Sequence, residues 1–238
     1  MSAFVVFIAG LCIGSFLNVC IYRIPKNKSI TYPPSTCPKC NTPIKIYDNI
    51  PVLSYLILRG RCRTCSEQIS LKYPLVEFIT GLLCVFFFLK FGLEKIYFYH
   101  IMIILYLIVL AFIDINERIV PDIIVAFMII TGLCFGVFEV RAGISIFDGV
   151  IGAVSAGIIL QTLCFFSNGK ISEGDTTLIA ALGFCVGIKE IIMIISYSFV
   201  IGGLYALLML LLGKHKKNDA IAFVPFIAVA FILRSLLQ

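Results

Sequence analysis

The stretch Ile101-Met102-Ile103-Ile104-Leu105-Tyr106-Leu107-Ile108-Val109-Leu110-Ala111-Phe112-Ile113-Asp114 decides the fold. No charge interrupts it until an aspartate closes it. Its apolar segment, 98–115, approaches the run of about 20 residues that crosses a bilayer as a helix. Seven further apolar segments lie around it, at roughly 3–22, 74–92, 121–139, 145–166, 176–188, 191–212 and 220–237. The sixth in chain order, 176–188, is short and reads as a tilted or half-inserted helix. Of the 238 residues, 61% are hydrophobic and 13% charged, with a mean hydropathy of +1.07. Ordinary globular composition is nearer half apolar and a quarter charged, so a soluble fold is excluded and the bilayer is the solvent. The expectation is an all-α polytopic membrane protein with about eight transmembrane helices. Residues 1–22 have no basic leading region and no A-x-A exit, and they run straight into a basic segment. They read as a retained first transmembrane helix and not as a cleaved signal.

The one long polar stretch is 23–73, which holds six of the nine prolines. It carries Arg23, Lys26, Lys28, Lys39, Lys45, Arg59, Arg61, Arg63 and Lys72 against Asp48 and Glu67. The excess of bases assigns this loop to the cytoplasm of a multi-pass inner-membrane protein. Alternation then puts Arg118, Lys170 and the Lys214, Lys216 and Lys217 group on the same side. Lys90, Lys95, Arg141, Lys189 and Arg234 fall on the other, and both termini lie outside. The net charge of +6 therefore reports topology and contact with anionic lipid, and gives no argument for a nucleic-acid partner.

Ten cysteines fall into two classes. Cys12, Cys20, Cys84, Cys134, Cys164 and Cys185 stand singly in apolar segments, where a free thiol packs as a small hydrophobe. Cys37-Pro38-Lys39-Cys40 and Cys62-Arg63-Thr64-Cys65 are paired and 21 residues apart. That is close to a zinc-ribbon spacing, in which each pair forms a knuckle aiming two thiolates at one tetrahedral ion. In a reducing cytoplasm a structural zinc is favoured over disulfides or a redox pair. Four thiolates close the coordination sphere and leave no position for catalysis. The domain reading is 1–22 first transmembrane helix, 23–73 cytoplasmic four-cysteine zinc-binding loop domain, and 74–238 transmembrane core.

Among thirteen acids, most lie in loops or at helix ends, where solvation accounts for them. Asp114 ends the third apolar segment, and Asp175, in Glu173-Gly174-Asp175, opens the sixth. Both lie at the cytoplasmic ends of their segments and share a depth, and an ionisable residue at membrane depth is a functional candidate. Placement alone leaves other readings open: a helix N-cap for Asp175, and an interfacial charge for Asp114. The two histidines, His100 and His215, read as interfacial groups, and there is no H-E-x-x-H, G-x-S-x-G or Gly-Lys-Ser/Thr phosphate loop. A hydrolase built from this chain would rely on paired carboxyls that share a proton, one activating water and the other polarising the peptide carbonyl.

At these positions the chain resembles the type IV prepilin peptidases over almost its whole length. Gly14-Ser15-Phe16-Leu17-Asn18-Val19 and Tyr22-Arg23-Ile24-Pro25 resemble the family's opening. Within Cys37 to Gly81, the stretches Asn49-Ile50-Pro51-Val52-Leu53-Ser54-Tyr55, Arg59-Gly60-Arg61-Cys62-Arg63 and Tyr73-Pro74-Leu75-Val76-Glu77 resemble its cytoplasmic loop. Phe112-Ile113-Asp114 through Val120-Pro121-Asp122 resembles the first catalytic motif. Gly174-Asp175 with Leu178, Ala181 and Gly183 resembles the second, G-x-G-D. Phe223-Val224-Pro225-Phe226 resembles the P-F motif of the last helix.

The resemblance implies an intramembrane aspartyl endopeptidase, with the core 74–238 as its protease domain and Asp114 and Asp175 as catalytic pair. Its substrates would be prepilins or pseudopilins, cut at the cytoplasmic face after a glycine just before their hydrophobic helix. It also implies, for many members, N-methylation of the new N-terminus from S-adenosylmethionine. Gly174, Pro121, Asp122 and Pro225 fall at supporting positions, Asp122 reading as a cap for the helix after Pro121. Glu77 opens the second apolar segment, as an interfacial carboxylate or as part of a methyl-donor site. Two positions depart from the family pattern: Ser172 stands at the first glycine of G-x-G-D, and Thr177 where a lysine is frequent. The rival readings are an ion-coupled transporter, disfavoured because its acids would lie at mid-membrane on broken helices, and a catalytically inactive prepilin-binding assembly protein.

Overall fold

The computed structural model describes residues 2–137, 145–166, 172–213 and 221–237. The loop charges Arg141, Lys170, Lys214, Lys216 and Lys217, with His215, lie outside the described residues. Among the described residues every extended element is helical: α1 (Ala3–Arg23), α2 (Leu53–Ile57), α3 (Lys72–Phe91), α4 (Lys95–Glu117), α5 (Asp122–Val137), α6 (Ile146–Phe166), α7 (Glu173–Leu211) and α8 (Val224–Leu237). Short 3-10 turns occupy Ile24–Lys26 and Ile46–Asn49. Helices α1, α3, α4, α6 and α7 are long and apolar enough to cross a membrane, while α5 and α8 are shorter apolar helices. The protein is a multi-pass membrane protein.

All eight expected segments are helical among the described residues, and five helices have the length and apolarity of a span. The expected sixth and seventh segments run together in α7, and the break between them is confined to Gly187, at φ 79° and ψ 171°. Only glycine reaches that conformation without strain. The helix resumes after Gly187, with Lys189 and Glu190 in the first turn of its second half. The break disturbs the hydrogen bonding of the turn before it, and the hydroxyl of Tyr99 donates to the Cys185 carbonyl at 2.7 Å.

The chain forms two compact units, residues 1–97 and 98–238. In the first, α1 lies along α3. A Cβ on Gly14 would stand 2.6 Å from the Glu77 Cα, and one on Gly10 would stand 2.8 Å from the Gly81 Cα. In a bilayer the tails are as apolar as the helices, so association relies on close backbone approach and interhelical hydrogen bonds. Asn18 supplies one such bond, its Nδ2 donating to the Tyr73 carbonyl at 3.0 Å.

In the second unit α7 packs on α5, α6 and α8. Gly152 of α6 and Gly183 of α7 meet so closely that a Cβ on either would lie 2.5 Å from the other's carbonyl oxygen. The stretch from Ile101 to Asp114 is the most deeply covered part of α4: Ile103, Ile104, Leu107, Leu110 and Ile113 are all buried. Polar side chains tie it to its neighbours, Tyr106 and Thr131 meeting hydroxyl to hydroxyl at 2.9 Å. At one end of α8, Arg234 grips Glu190 of α7 through Nε and a terminal nitrogen at 2.6 and 3.0 Å.

Candidate active site

Helix α4 ends at Glu117, and Arg118 takes the left-handed conformation (φ 58°) that closes many helices. Its amide donates to the Asp114 carbonyl at 3.0 Å. The side chain of Asp114 turns the other way, into the unit: Oδ2 accepts the amide hydrogen of Val224 at 3.0 Å, across 110 residues of sequence. Val224 is the first residue of α8, so the carboxyl satisfies a donor that no helical carbonyl can reach. Pro225 follows, in the first turn, where its missing N–H costs nothing.

Asp175 is not the cap of α7. Ser172 is, in an extended conformation (φ −80°, ψ 153°). The Ser172 hydroxyl accepts from the Asp175 amide at 3.1 Å, and Asp175 Oδ2 accepts from the Ser172 amide at 3.2 Å. This reciprocal box is normally made at a solvated helix start with Glu or Gln in the third position. Here the third position is an aspartate that is only 6% exposed, as is Asp114. Each carboxyl is thus held by a backbone donor at a helix N-terminus.

The two motifs meet at Gly174, where a Cβ would sit 2.9 Å from the Cβ of Val120. Pro121 follows Val120, and its carbonyl accepts the Ile124 amide at 3.1 Å, starting α5. Asp122 is the first residue of α5 and is exposed, away from the buried pair. Thr177 is exposed as well; its hydroxyl donates to the Gly174 carbonyl at 2.9 Å. The hydroxyl of Thr176 is buried without a partner among the described residues. The parts that sequence reading missed are the amide of Val224 and the capping role of Ser172. The Ser-x-x-Asp spacing pointed to the second, but nothing in the sequence pointed to the first.

In the first unit, Cys37, Cys40, Cys62 and Cys65 gather with all four sulfurs within 4.8 Å of one another. The Cys37 and Cys65 sulfurs are 3.8 Å apart, which is about the edge of a tetrahedron of thiolates around zinc at roughly 2.3 Å. The two knuckles repeat one design. The Cys37 amide donates to the Thr42 carbonyl at 3.0 Å, and the Cys62 amide to the Glu67 carbonyl at 2.8 Å. The fourth residue after each leading cysteine, Asn41 or Ser66, takes a positive φ. Lys39 of one knuckle pairs with Glu67 of the other. Arg63 clasps Asp48 through two nitrogens at 2.6 and 2.9 Å, which holds that carboxyl below its ordinary range. Hydrogen bonds with the Thr42 hydroxyl and amide lower the Cys40 thiol to about 6, while the Cys65 thiol is pushed up to about 12. The donor set and the spacing fit a divalent metal ion.

Glu77 is buried in α3. Its Oε2 accepts the Val52 amide at 2.7 Å, and the Ser15 hydroxyl also bonds it.

Comparison with known proteins bears on both units. Residues 8–91 match the bacterial Peptidase A24 N-terminal domain, and residues 101–207 match the type IV leader peptidase family. A prepilin leader peptidase/N-methyltransferase of Bacillus subtilis is 32% identical, covering 96% of this chain and 92% of its own. The chain belongs to the type IV leader peptidase family. Proteins of the same description from Neisseria gonorrhoeae and Aeromonas hydrophila are 35% and 33% identical, each across 94% of this chain and 86% and 87% of their own. No solved structure gives a significant match. Within this leader peptidase, Asp114 and Asp175 stand in the matched 101–207 region, while the cysteines and Glu77 stand in the matched 8–91 region.

Proposed function

We propose that this protein is a membrane-embedded aspartyl endopeptidase that removes the leader from type IV prepilins and pseudopilins, with Asp114 and Asp175 as its catalytic pair. The observation that carries the proposal is a pair of buried carboxyls, Asp114 and Asp175, each held by a backbone amide at a helix start, in motifs that adjoin where Gly174 abuts Val120. Two carboxyls at close range share a proton more readily than both ionise. One then takes a proton from water as it attacks the scissile carbonyl, while the other donates to the carbonyl oxygen. The backbone tethers on Oδ2 orient both groups before substrate arrives, so little reorganisation is left for the reaction.

The loop 23–73, with nine bases to two acids, supports placement of the active site at the cytoplasmic face of the inner membrane. In this reading the loop is a separate small domain, 23–73, between the first helix and a protease core at 74–238. Cys37, Cys40, Cys62 and Cys65 would hold a structural zinc, which supplies the fold energy that a loop of this size lacks. Gly174, Pro121 and Pro225 hold the backbone around the pair, and Asp122 starts α5. The printed names of the relatives support a second activity, methylation of the new N-terminus with S-adenosylmethionine, and Glu77 is the buried carboxylate of the first unit on which to test a methyl-donor site.

The test is direct. Purified protein is incubated with a prepilin, with and without S-adenosylmethionine, and the mature N-terminus is weighed by mass spectrometry. A cut after the glycine, with an added methyl group only when the donor is present, is the expected result. Cleavage at near wild-type rate by Asp114→Asn or Asp175→Asn would overturn the assignment of the pair.

A further inference from the structure

The turn at 49–55 is bonded onto the membrane helices. Glu77, in the second turn of α3, accepts the Val52 amide and holds Val52 at φ 59°, a conformation that a β-branched residue rarely adopts. Helix α2 starts at the next residue, so it is fixed at the level where α3 enters its apolar run. It does not bury its apolar side chains. Leu53 is 50% exposed, Leu56 65% and Ile57 66%, and nearby Leu71 is 71% exposed.

A tight turn follows α2. Arg59 and Gly60 both have positive φ (51° and 68°). The Gly60 amide donates to the Tyr55 carbonyl at 2.9 Å, and the Ile69 amide to the Gly60 carbonyl at 2.7 Å. The reversed chain then enters the second cysteine knuckle. Between turn and knuckle lies an open cleft of about 680 Å³, lined by Ile57, Leu58, Arg59, Arg61, Cys62, Arg63 and Ser66. Arg63 is already committed to Asp48. Arg59 and Arg61 have no carboxylate partner among the described residues.

We propose that this cleft is a binding site for the phosphate headgroup of an anionic phospholipid, with the exposed side chains of α2 seated among its acyl chains. Two guanidinium forks suit the oxygens of a phosphate better than they suit any neutral headgroup. Leucine and isoleucine beside them, at the mouth of a transmembrane helix pair, match a headgroup–acyl boundary and not a water-facing surface. A basic segment against an anionic leaflet is attracted within a Debye length. Such a site anchors the four-cysteine loop flat on the membrane, and it holds the backbone clamped by Glu77 in place. A free phosphate would satisfy the same forks but would leave Leu56 and Ile57 in water. A basic peptide leader would be repelled.

The experiment uses the full-length protein in a neutral detergent, with lipid adducts counted by native mass spectrometry. Phosphatidylglycerol, phosphatidylcholine and inorganic phosphate are added at matched concentrations. Wild-type protein is expected to retain phosphatidylglycerol about tenfold over phosphatidylcholine. Arg59→Gln/Arg61→Gln is expected to fall to the phosphatidylcholine level, while Lys26→Gln/Lys28→Gln, which removes two bases of the same loop outside the cleft, keeps the preference. Metal content reports whether the knuckles are intact. Arg59→Lys/Arg61→Lys keeps the charge and removes the forks, and is expected to lose about threefold of the preference. An unchanged preference in that variant, or an equal loss in the Lys26/Lys28 variant, would make the effect plain surface charge and overturn the site. Inorganic phosphate that binds alone and displaces the lipid would overturn the lipid assignment.

Discussion

The loop at 24–71 and the helical unit at 98–237 fix their polar groups by opposite means. In the loop, side chain holds side chain: Arg63 with Asp48, Lys39 with Glu67, and four thiols around one point. Lys39, Glu67 and Arg63 are exposed, and solvent screening leaves such pairs little net stabilisation. At the acid pair of the helical unit, backbone holds side chain. Asp114 takes the first amide of α8, and Asp175 takes the amide of the cap of α7. An amide at a helix start has no helical partner and cannot move without unwinding the helix. The loop gathers its thiols into a set that could take an ion, whereas the acid carboxyls are tied to the ends of packed helices.

The largest expected effect isolates the second region. Asp114→Asn and Asp175→Asn should each lower prepilin cleavage by about 10³-fold or more, as expected when one member of a cooperating pair is lost, with the protein still extracted from membranes as a folded species. Next comes the first region. Cys37→Ser/Cys40→Ser should remove about one metal ion per chain and open 24–71 to protease, while the helical unit stays resistant. Loss of protection across both units together would break the contrast.

Gly174→Ala probes the seam between the motifs. Its Cβ would press on Val120 at 2.9 Å, and overpacking of this kind costs about 1–3 kcal/mol. If the displacement falls on Asp175, turnover should drop about 10- to 100-fold with little change in KM. Ser172 gives a finer test. Ser172→Ala removes the capping oxygen, at about 1 kcal/mol, and should slow turnover several-fold. Ser172→Gly should cost less, because glycine is itself an acceptable cap. A larger loss in Ser172→Gly than in Ser172→Ala would show that the hydroxyl does not act as a cap.

The smallest effect belongs to Asp48. Its carboxyl lies below the ordinary range because Arg63 bonds it. A lowered folded-state value contributes stability above the unfolded value, lost as pH falls through the folded one. The gap in thermal stability between the wild type and Asp48→Asn should therefore be present at neutral pH and close below about pH 4.

Much was legible in the sequence. Apolar runs placed six of the helices, α1, α3, α4, α5, α6 and α8, to within a few residues, because a helix that enters a bilayer needs a long apolar run. The spacing of two C-x-x-C pairs foretold the gathering of four thiols, since two short turns can bring them to the geometry that tetrahedral ligation needs. Segments 176–188 and 191–212 are the two helical stretches of α7 that meet at the non-helical Gly187, beside the polar Lys189 and Glu190 that part them in the sequence.

The sequence by itself also singled out Asp114 and Asp175, because a charge at the edge of an apolar run is costly and conspicuous. It could not say what holds them. The amide that binds Asp114 lies 110 residues away, and a backbone N–H carries no signature in residue type. Nor could it separate Ser172 as a departure from a motif from Ser172 as the cap that makes the motif work here. Both facts depend on where helices begin in space, and that is decided when α4, α7 and α8 pack together.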